Sequence, residues 1–297
     1  MYSFEQLKMF SAVCECGSFS AAARKLKRAQ SGVSQAVANL EIALNQTLFD
    51  RSGNVPVLTE AGKALLPIAR SVLLQQQRLD QKVLALEAAE EHALTIAVEE
   101  SLMAPSLFHY LDVINAQYPM TTIEITTAST FDIYDLVKGG DAHIGVVYAD
   151  GSMQENVDFV TLGYERFITL AAPSHPLAGM AQINDADLRN YRQLAQRSSA
   201  GKELWFSYAI SPQVWYANTH QLLLDMATQG LGWAIVPESL SQPFLTKGDL
   251  TLLQVEYEPN GWMTTVDLLQ TRSHTGGPVR QAVVEQITKW FSRRMTQ

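Results

Sequence analysis

The stretch from Thr59 to about Glu90 constrains this chain more than any other, because it reads as one long helix that cannot stand alone. Thr59 is a good N-cap, and Glu60 sits where a negative charge favours the first turn of a helix. A helix running from there to about Glu90 would be roughly 45 Å long at 1.5 Å per residue. Pro67 predicts a kink near its start. Apolar residues recur in alternating steps of four and three: Leu65, Ala69, Val72, Leu79, Val83 and Leu86, with Gln76 in the one polar slot. Such a heptad seam predicts a partner helix, and a homodimer or a dimer of dimers is the simplest way to supply one.

The helix divides two textures. Before it, short amphipathic helices follow one another. Leu7, Phe10, Val13 and Cys14 share a face that Gly17 ends, and Ser18 opens a second helix with Phe19, Ala22, Ala23 and Leu26. A third carries Val33, Val37, Leu40 and Leu44, with Asn45 suited to a left-handed stop. Leu48–Thr59 then reads as a short hairpin around Ser-Gly-Asn. After His92, strand and helix alternate in βαβαβ fashion, which predicts parallel sheets with helices on their faces. At 297 residues the chain is long enough for two or three compact units.

Charge follows the same division. Residues 1–90 hold 10 Lys and Arg against 8 Asp and Glu, a net of +2 within a total of -8, so the remainder carries -10. A mildly basic head on an acidic body would approach nucleic acid only at the head. Its cations cluster at Arg24, Lys25, Lys27 and Arg28, and the following helix, Ala29 to Leu40, has no charge at all. The combination fits major-groove reading. Cations hold phosphates without sequence information, while Gln, Asn and Ser can address base edges. The bland reading is a solvated basic face beside an ordinary polar helix.

The residues Ser18-Phe19, Ala22-Ala23, Leu26, Gln30, Ser34, Leu40-Glu41, Leu48-Phe49, Arg51, Leu58-Thr59 and Glu60-Ala61-Gly62 carry a specific likeness. In that spacing the chain resembles the N-terminal winged helix-turn-helix of the LysR-type transcriptional regulators. The long helix and the α/β remainder fit the same family over essentially the whole chain. The resemblance implies a winged helix-turn-helix DNA-binding domain at 1–58, a linker dimerisation helix at 59–90, and an effector-binding domain at 91–297. The last would be two Rossmann-like subdomains of the periplasmic-binding-protein type, subdomain I at about 91–162 and 265–297 and subdomain II at about 163–264. Implied partners are double-stranded DNA, a small-molecule effector and further copies of the chain, with RNA polymerase a further candidate. Gln30, Ser31, Ser34 and Gln35 become the candidate base readers, and Ser18, Arg24, Lys27, Arg28 and Arg51 the candidate phosphate contacts. Three positions depart from the family pattern: Ala29 replaces a Ser or Thr cap, Gln35 a common cation, and Asn54 a second basic residue of the wing.

Ligands of parallel sheets sit beyond strand C-termini and near helix N-termini, which selects candidate effector residues. These are Glu100, Ser101, Met103, Ser129, Thr130, Tyr148, Ser198, Ser199, Ala200, Asn218 and Thr219. The chain is expected to cross between subdomains at Asp158–Glu165 and to return near Met263–Val266. A carboxylate of Glu99 or Glu100 facing the cleft would favour a neutral or cationic effector over a strongly anionic one.

Other classes find little support. The six histidines form no metal-binding spacing, and there is no GxSxG or P-loop, so no enzyme, metal or cofactor is expected. Cys14 and Cys16 point about 200° apart on a helix and cannot bridge one another, leaving a redox switch a remote reading. No run is long and apolar enough to span a bilayer, and the N-terminus is no signal peptide, so a cytoplasmic protein is expected. The alternative from another class is a solute-binding protein whose helical head serves association rather than DNA.

Overall fold

A computed structural model describes residues 1–53, 55–151, 157–271 and 276–294. Asn54, singled out in the wing, lies outside them. The chain divides into two compact units, Met1–Ala88 and Ala89–Gln297.

The first unit is helical. α1 (Phe4–Cys16) opens on a reciprocal capping box between Ser3 and Gln6 and stops at Gly17, whose φ of 72° is left-handed. α2 (Phe19–Leu26) is capped by Ser18 and ends on Lys27, also left-handed at φ 52°. A side chain in that region costs roughly 1–2 kcal/mol, so this turn stores strain. α3 (Gln30–Leu44) starts at Ala29 without a side-chain cap and ends on left-handed Asn45. β1 (Phe49–Asp50) pairs antiparallel with β2 (Val57–Leu58). Phe10, Val13, Ala22, Val33, Val37, Leu40, Leu48 and Phe49 form the core, with the Phe49 ring edge-on to Phe10 and Phe19.

α4 (Glu60–Glu87) is capped by Thr59, contains Pro67, and ends short of Glu90. Its first turns lie against the head. The backbone at Gly62 leaves no room for a side chain, since a Cβ there would stand 2.3 Å from the Leu48 carbonyl oxygen. The heptad expectation needs correction on this helix. Leu65, Ala69 and Val72 pack into the head's own core together with Leu66 and Leu73. Only Leu79, Val83 and Leu86 of the expected seam remain exposed, joined by Ile68. Ile68, Leu79 and Leu86 are spaced by near-whole numbers of turns, so the free apolar stripe is rotated away from Ala69. Periodicity reports which residues share a face, and here one face serves the head while its neighbour is left open.

The second unit is a nine-stranded sheet with helices on both faces. β3 (Ala93–Glu99), α5 (Ser106–Gln117), β4 (Thr122–Ala128), α6 (Thr130–Gly139) and β5 (Ile144–Tyr148) build the first half. β6 (Val157–Ala171) leads to the second half, α7 (Asp185–Arg189), β7 (Gln193–Gln196), β8 (Val214–Ala217), α8 (His220–Thr228), β9 (Trp233–Pro237), α9 (Glu238–Lys247) and β10 (Thr251–Leu252). β11 (Trp262–Thr271) returns to the first half, and α10 (Pro278–Arg294) packs on α5. The strand order is β4-β3-β5-β11-β6-β9-β7-β8, with β10 also on β6. β5 is buried along its whole length, as a strand covered on both faces must be.

β3, β4 and β5 run parallel, as do β7, β8 and β9, but the sheet is mixed rather than wholly parallel. β11 runs antiparallel to β5 and β6, and β6 antiparallel to β9. β6 and β11 pair along both halves, with a register shift at Val266/Asp267. α7, β8, α9 and β10 were not foreseen from the sequence. Pro243 lies inside α9, and β10 is too short to show alternation.

Candidate functional site

On α3, Val33, Val37 and Leu40 recur at helical spacing and turn inward. That leaves Gln30, Ser31, Gly32, Gln35 and Asn39 exposed and Ser34 half-buried. The exposed face is wholly uncharged. Gln30 Oε1 accepts from Ser20 Oγ at 2.9 Å, and Gln35 Nε2 donates to Asn39 Oδ1 at 2.9 Å. Both amides therefore retain hydrogen-bonding capacity for an outside partner, since Gln35 spends on Asn39 only one of its two N–H groups.

The cations around it divide by partner. Lys25 pairs with Glu15 at 2.5 Å and Arg28 with Glu5 at 3.2 Å. Arg24 and Lys27 are exposed and make no ion pair among the described residues. Ser18 Oγ accepts from the Ala21 amide, so its acceptor is engaged in capping α2. Arg51 is a different case from the other four. Its guanidinium lies 5.0 Å from the Phe19 ring and 2.9 Å from Glu41 Oε2. Glu41 Oε1 in turn accepts from the amides of Leu48 and Phe49. Arg51 thus fastens the hairpin to α3. Burial pushes the Cys14 thiol up to about 11, against the pull of Arg70, so it stays protonated and unreactive near neutral pH.

In the α/β unit, a buried polar cluster forms where strand ends and helix starts of the two halves meet. From the first half, a 3-10 turn (Glu100–Leu102) follows β3 and places Glu99, Glu100 and Ser101. Ser101 donates its backbone amide (2.9 Å) and its hydroxyl to Glu99, and its Oγ lies 2.7 Å from the Tyr148 hydroxyl. Thr130 Oγ1 accepts from the Tyr148 amide at 3.2 Å, and Ser129 caps α6. From the second half, His220 at the start of α8 donates its backbone amide to Glu100. Its Nδ1 stands 3.1 Å from Glu100 Oε1 and 3.5 Å from Glu99 Oε1. Gln196 Nε2 reaches Glu99 at 3.5 Å. Ser199 donates its amide to Asp132 at 3.2 Å and its hydroxyl at 2.5 Å, a second tie across the same seam.

The electrostatics follow from burial. Desolvation alone would lower the His220 pKa, but hydrogen bonds and charge from Glu100 and Glu99 override it and raise it to about 9. The imidazole is therefore held as a cation, with Nε2 unpaired among the described residues. Burial, then Glu99 and Glu165, push the Tyr148 phenol well above its ordinary range. Burial opposes ionisation of Asp132, yet hydrogen bonds from Ser129 and Ser199 hold it below the usual aspartate value. Phe167 lies edge-on to Tyr148 and His220 and packs on Phe206, so the cluster has an aromatic wall.

The candidate effector residues do not form one group. Glu100, Ser101, Ser129, Thr130, Tyr148 and Ser199 meet at the seam. Ser198 accepts from the Lys202 amide and closes a turn beside Ser199, Thr219 caps α8, and Ala200 is exposed. Met103 lines a cavity of about 720 Å³ with Tyr110, Trp290 and Arg293, and of the seam residues Ser101 also reaches it. Asn218 lines a shallow one beside Arg197 and Tyr216. Four residues at the seam were not singled out from sequence: Asp132, Phe167, Gln196 and His220. The best available signal was His220 directly after Thr219, the first residue of a capped helix. Glu99, Glu100 and His220 also bring one ligand atom each within 4.8 Å of one another, a grouping that could hold a cation and that no histidine spacing disclosed.

Comparison with known proteins gives a consistent picture. Residues 4–63 match the model described as bacterial regulatory helix-turn-helix protein, lysR family, and residues 87–292 match the LysR substrate binding domain. The transcriptional regulator AceR of Acinetobacter baumannii is 30% identical over 285 residues, 95% of each chain. The virulence factor regulator MvfR of Pseudomonas aeruginosa is 28% identical over 270 residues, 90% of this chain and 80% of that one. Among solved structures, an OxyR mutant of Corynebacterium glutamicum superposes with a TM-score of 0.58 at 24% identity, covering 100% of this chain and 94% of that one. CbnR, a LysR family transcriptional regulator, gives 0.55 at 21% identity, covering 96% and 99%. At these identities the two structures establish the fold alone.

Proposed function

The chain belongs to the LysR family, DNA-binding transcriptional regulators with an effector-binding domain, and from that premise we propose how its parts divide the work. Gln30, Ser31, Ser34 and Gln35 read base edges from the N-terminal end of α3, the end that enters the major groove in this motif. Arg24 and Lys27 hold phosphates, with Arg28 released from Glu5 to join them. Ser18 contributes through its hydroxyl proton, and Arg51 acts chiefly by fixing the hairpin. The observation that carries this reading is the uncharged, exposed face of α3 flanked by two unpaired cations.

Domain limits of 1–58, 59–90 and 91–297 follow the change from helical head to α4 to sheet. α4 joins two copies through Ile68, Leu79, Val83 and Leu86, giving a dimer or a dimer of dimers on a pseudo-palindromic site. The effector sits at the seam between the halves of the sheet, where its binding biases the arrangement that RNA polymerase and the operator meet. No reaction is assigned to the chain. No helix among the described residues is long and apolar enough to cross a membrane.

Binding-site selection on the full chain, followed by salt titration on the selected duplex and on unrelated DNA, tests the reading. A recovered two-fold motif and a steep fall in binding with salt support it. Weak binding that neither prefers a sequence nor responds to salt overturns it in favour of a solute-binding protein with an associating head.

A further inference from the structure

The geometry points to an organic cation, an ammonium or amidinium group on an apolar body, as the ligand of the Glu99–Glu100–His220 seam. The inference rests on the reading that the effector occupies this seam and adds its chemical class.

Two carboxylates, Glu99 and Glu100, converge on one imidazole nitrogen of His220. Even with the imidazole protonated, the three groups sum to -1, and no lysine or arginine pairs with either glutamate among the described residues. Arg294, which acts on the neighbouring Tyr148, is already engaged by Glu165 at 3.0 Å. Glu99 and His220 are fully buried, so the surplus negative charge is poorly compensated by water there. Glu100 retains 13% side-chain exposure, which makes its edge the one open to solvent. An anion at this place would add to the surplus. A cation would cancel it.

The surroundings specify more than charge. Tyr148, Phe167 and Phe206 follow one another from the cluster in edge-on and tilted contacts, and Phe206 meets Trp205, which is 47% exposed and lies 5.8 Å from Trp262. Aromatic faces beside carboxylates are the setting in which ammonium groups with apolar bodies are recognised. His220 then acts as a resident partial counter-ion tying the two halves, and a ligand that supplies the missing charge competes for Glu100 and alters that tie. The second half therefore feels the ligand through α8, which His220 begins.

The test uses the full chain and three probes of one shape and three charges: benzylammonium, benzyl alcohol and benzoate. Thermal shift reads binding, and hydrogen exchange of residues 99–103 and 218–222 reads its place. The expected result is a higher melting temperature and seam protection with benzylammonium only. Glu100→Gln should weaken that binding at least tenfold; because it also removes the carboxylate that holds His220, the unliganded variant should melt somewhat lower, so binding is compared by calorimetry below that transition. Equal seam protection by benzyl alcohol or benzoate overturns the cation class and leaves the seam as effector site. Benzylammonium binding without seam protection, or binding unaffected by Glu100→Gln, overturns the assignment of place. No binding of benzylammonium, or tight seam protection by zinc ion alone, overturns the inference as well.

Discussion

In the helical unit the residues proposed to address a partner lie outside, on the bare face of α3, and Arg24 and Lys27 beside it make no ion pair among the described residues. In the α/β unit they lie inside, with Glu99, Ser101, Tyr148 and His220 all buried and bonded to one another. The difference follows from the partners. A duplex carries its own charge and hydration, so its reader needs solvated cations and amides that can change partners. A small molecule must be enclosed, so its receptor keeps polar groups buried and satisfies them internally until the ligand arrives. α4 belongs to neither pattern, since it exposes an apolar stripe, Ile68, Leu79, Val83 and Leu86, among its polar residues.

That third behaviour gives the largest expected effect. Leu79→Glu with Leu86→Glu sets like charges on the exposed stripe, where Leu79 and Leu86 are 65% and 61% exposed. The double variant should sediment as a monomer and lose operator binding by at least a hundredfold while each unit keeps its fold. An unchanged assembly would move dimerisation away from α4. Val72 is a poor site for this test because it also packs into the head.

The buried side of the comparison predicts a pH dependence. His220 has its folded pKa raised from 6.5 to about 9, so its contribution to stability is complete below 6.5 and is lost as pH rises through about 9. The groups facing it are Glu99, Glu100 and Tyr148, and the Tyr148 phenol stays protonated over this range. Wild type should lose on the order of 3 kcal/mol between pH 6 and pH 9.5 from this group, an upper figure given its burial. Denaturant unfolding of wild type beside His220→Gln measures it, and an equal loss in both would assign the pH dependence elsewhere.

On the exposed side, reader and anchor should separate. Gln35→Ala should cost roughly 1–3 kcal/mol on the selected duplex and relax preference at one base pair per half-site. Lys27→Gly should weaken binding to all sequences alike and lower the salt slope by about one. Because it relieves a left-handed side chain, it should not destabilise the head, which distinguishes a lost phosphate contact from a lost fold. A selected motif unchanged by Gln35→Ala but altered by Lys27→Gly would reverse the two roles.

The smallest effect concerns Ala29, which begins α3 without a side-chain cap. Ala29→Ser should raise the stability of the head by about 1 kcal/mol, read as a shift in its melting temperature.

Local signals in the sequence were reliable where one residue answers one backbone demand. Thr59 caps α4, Asn45 takes the left-handed stop, and Gly17 ends α1. The alternating texture after His92 likewise indicated strands and helices. Signals that depend on distant partners were not legible. The heptad pattern could not say that Ala69 faces the head, because the same spacing suits either a core or a second helix. His220 becomes informative only when α8 is brought against Glu99 and Glu100, residues far away in the chain. The mixed sheet was hidden for the same reason, since a strand carries no mark of its neighbour's direction.

The placement of β11 between β5 and β6 has a consequence for synthesis. The head can close as soon as α4 has emerged, but the sheet of the body cannot. β5 and β6 wait for residues 262–271, and α5 waits for α10 to cover Leu107, Leu111 and Ile114. Until those residues leave the ribosome, two apolar strands present unpaired edges, the condition under which nascent chains associate wrongly. A chain stopped before Trp262 should therefore yield a folded head on an aggregating body.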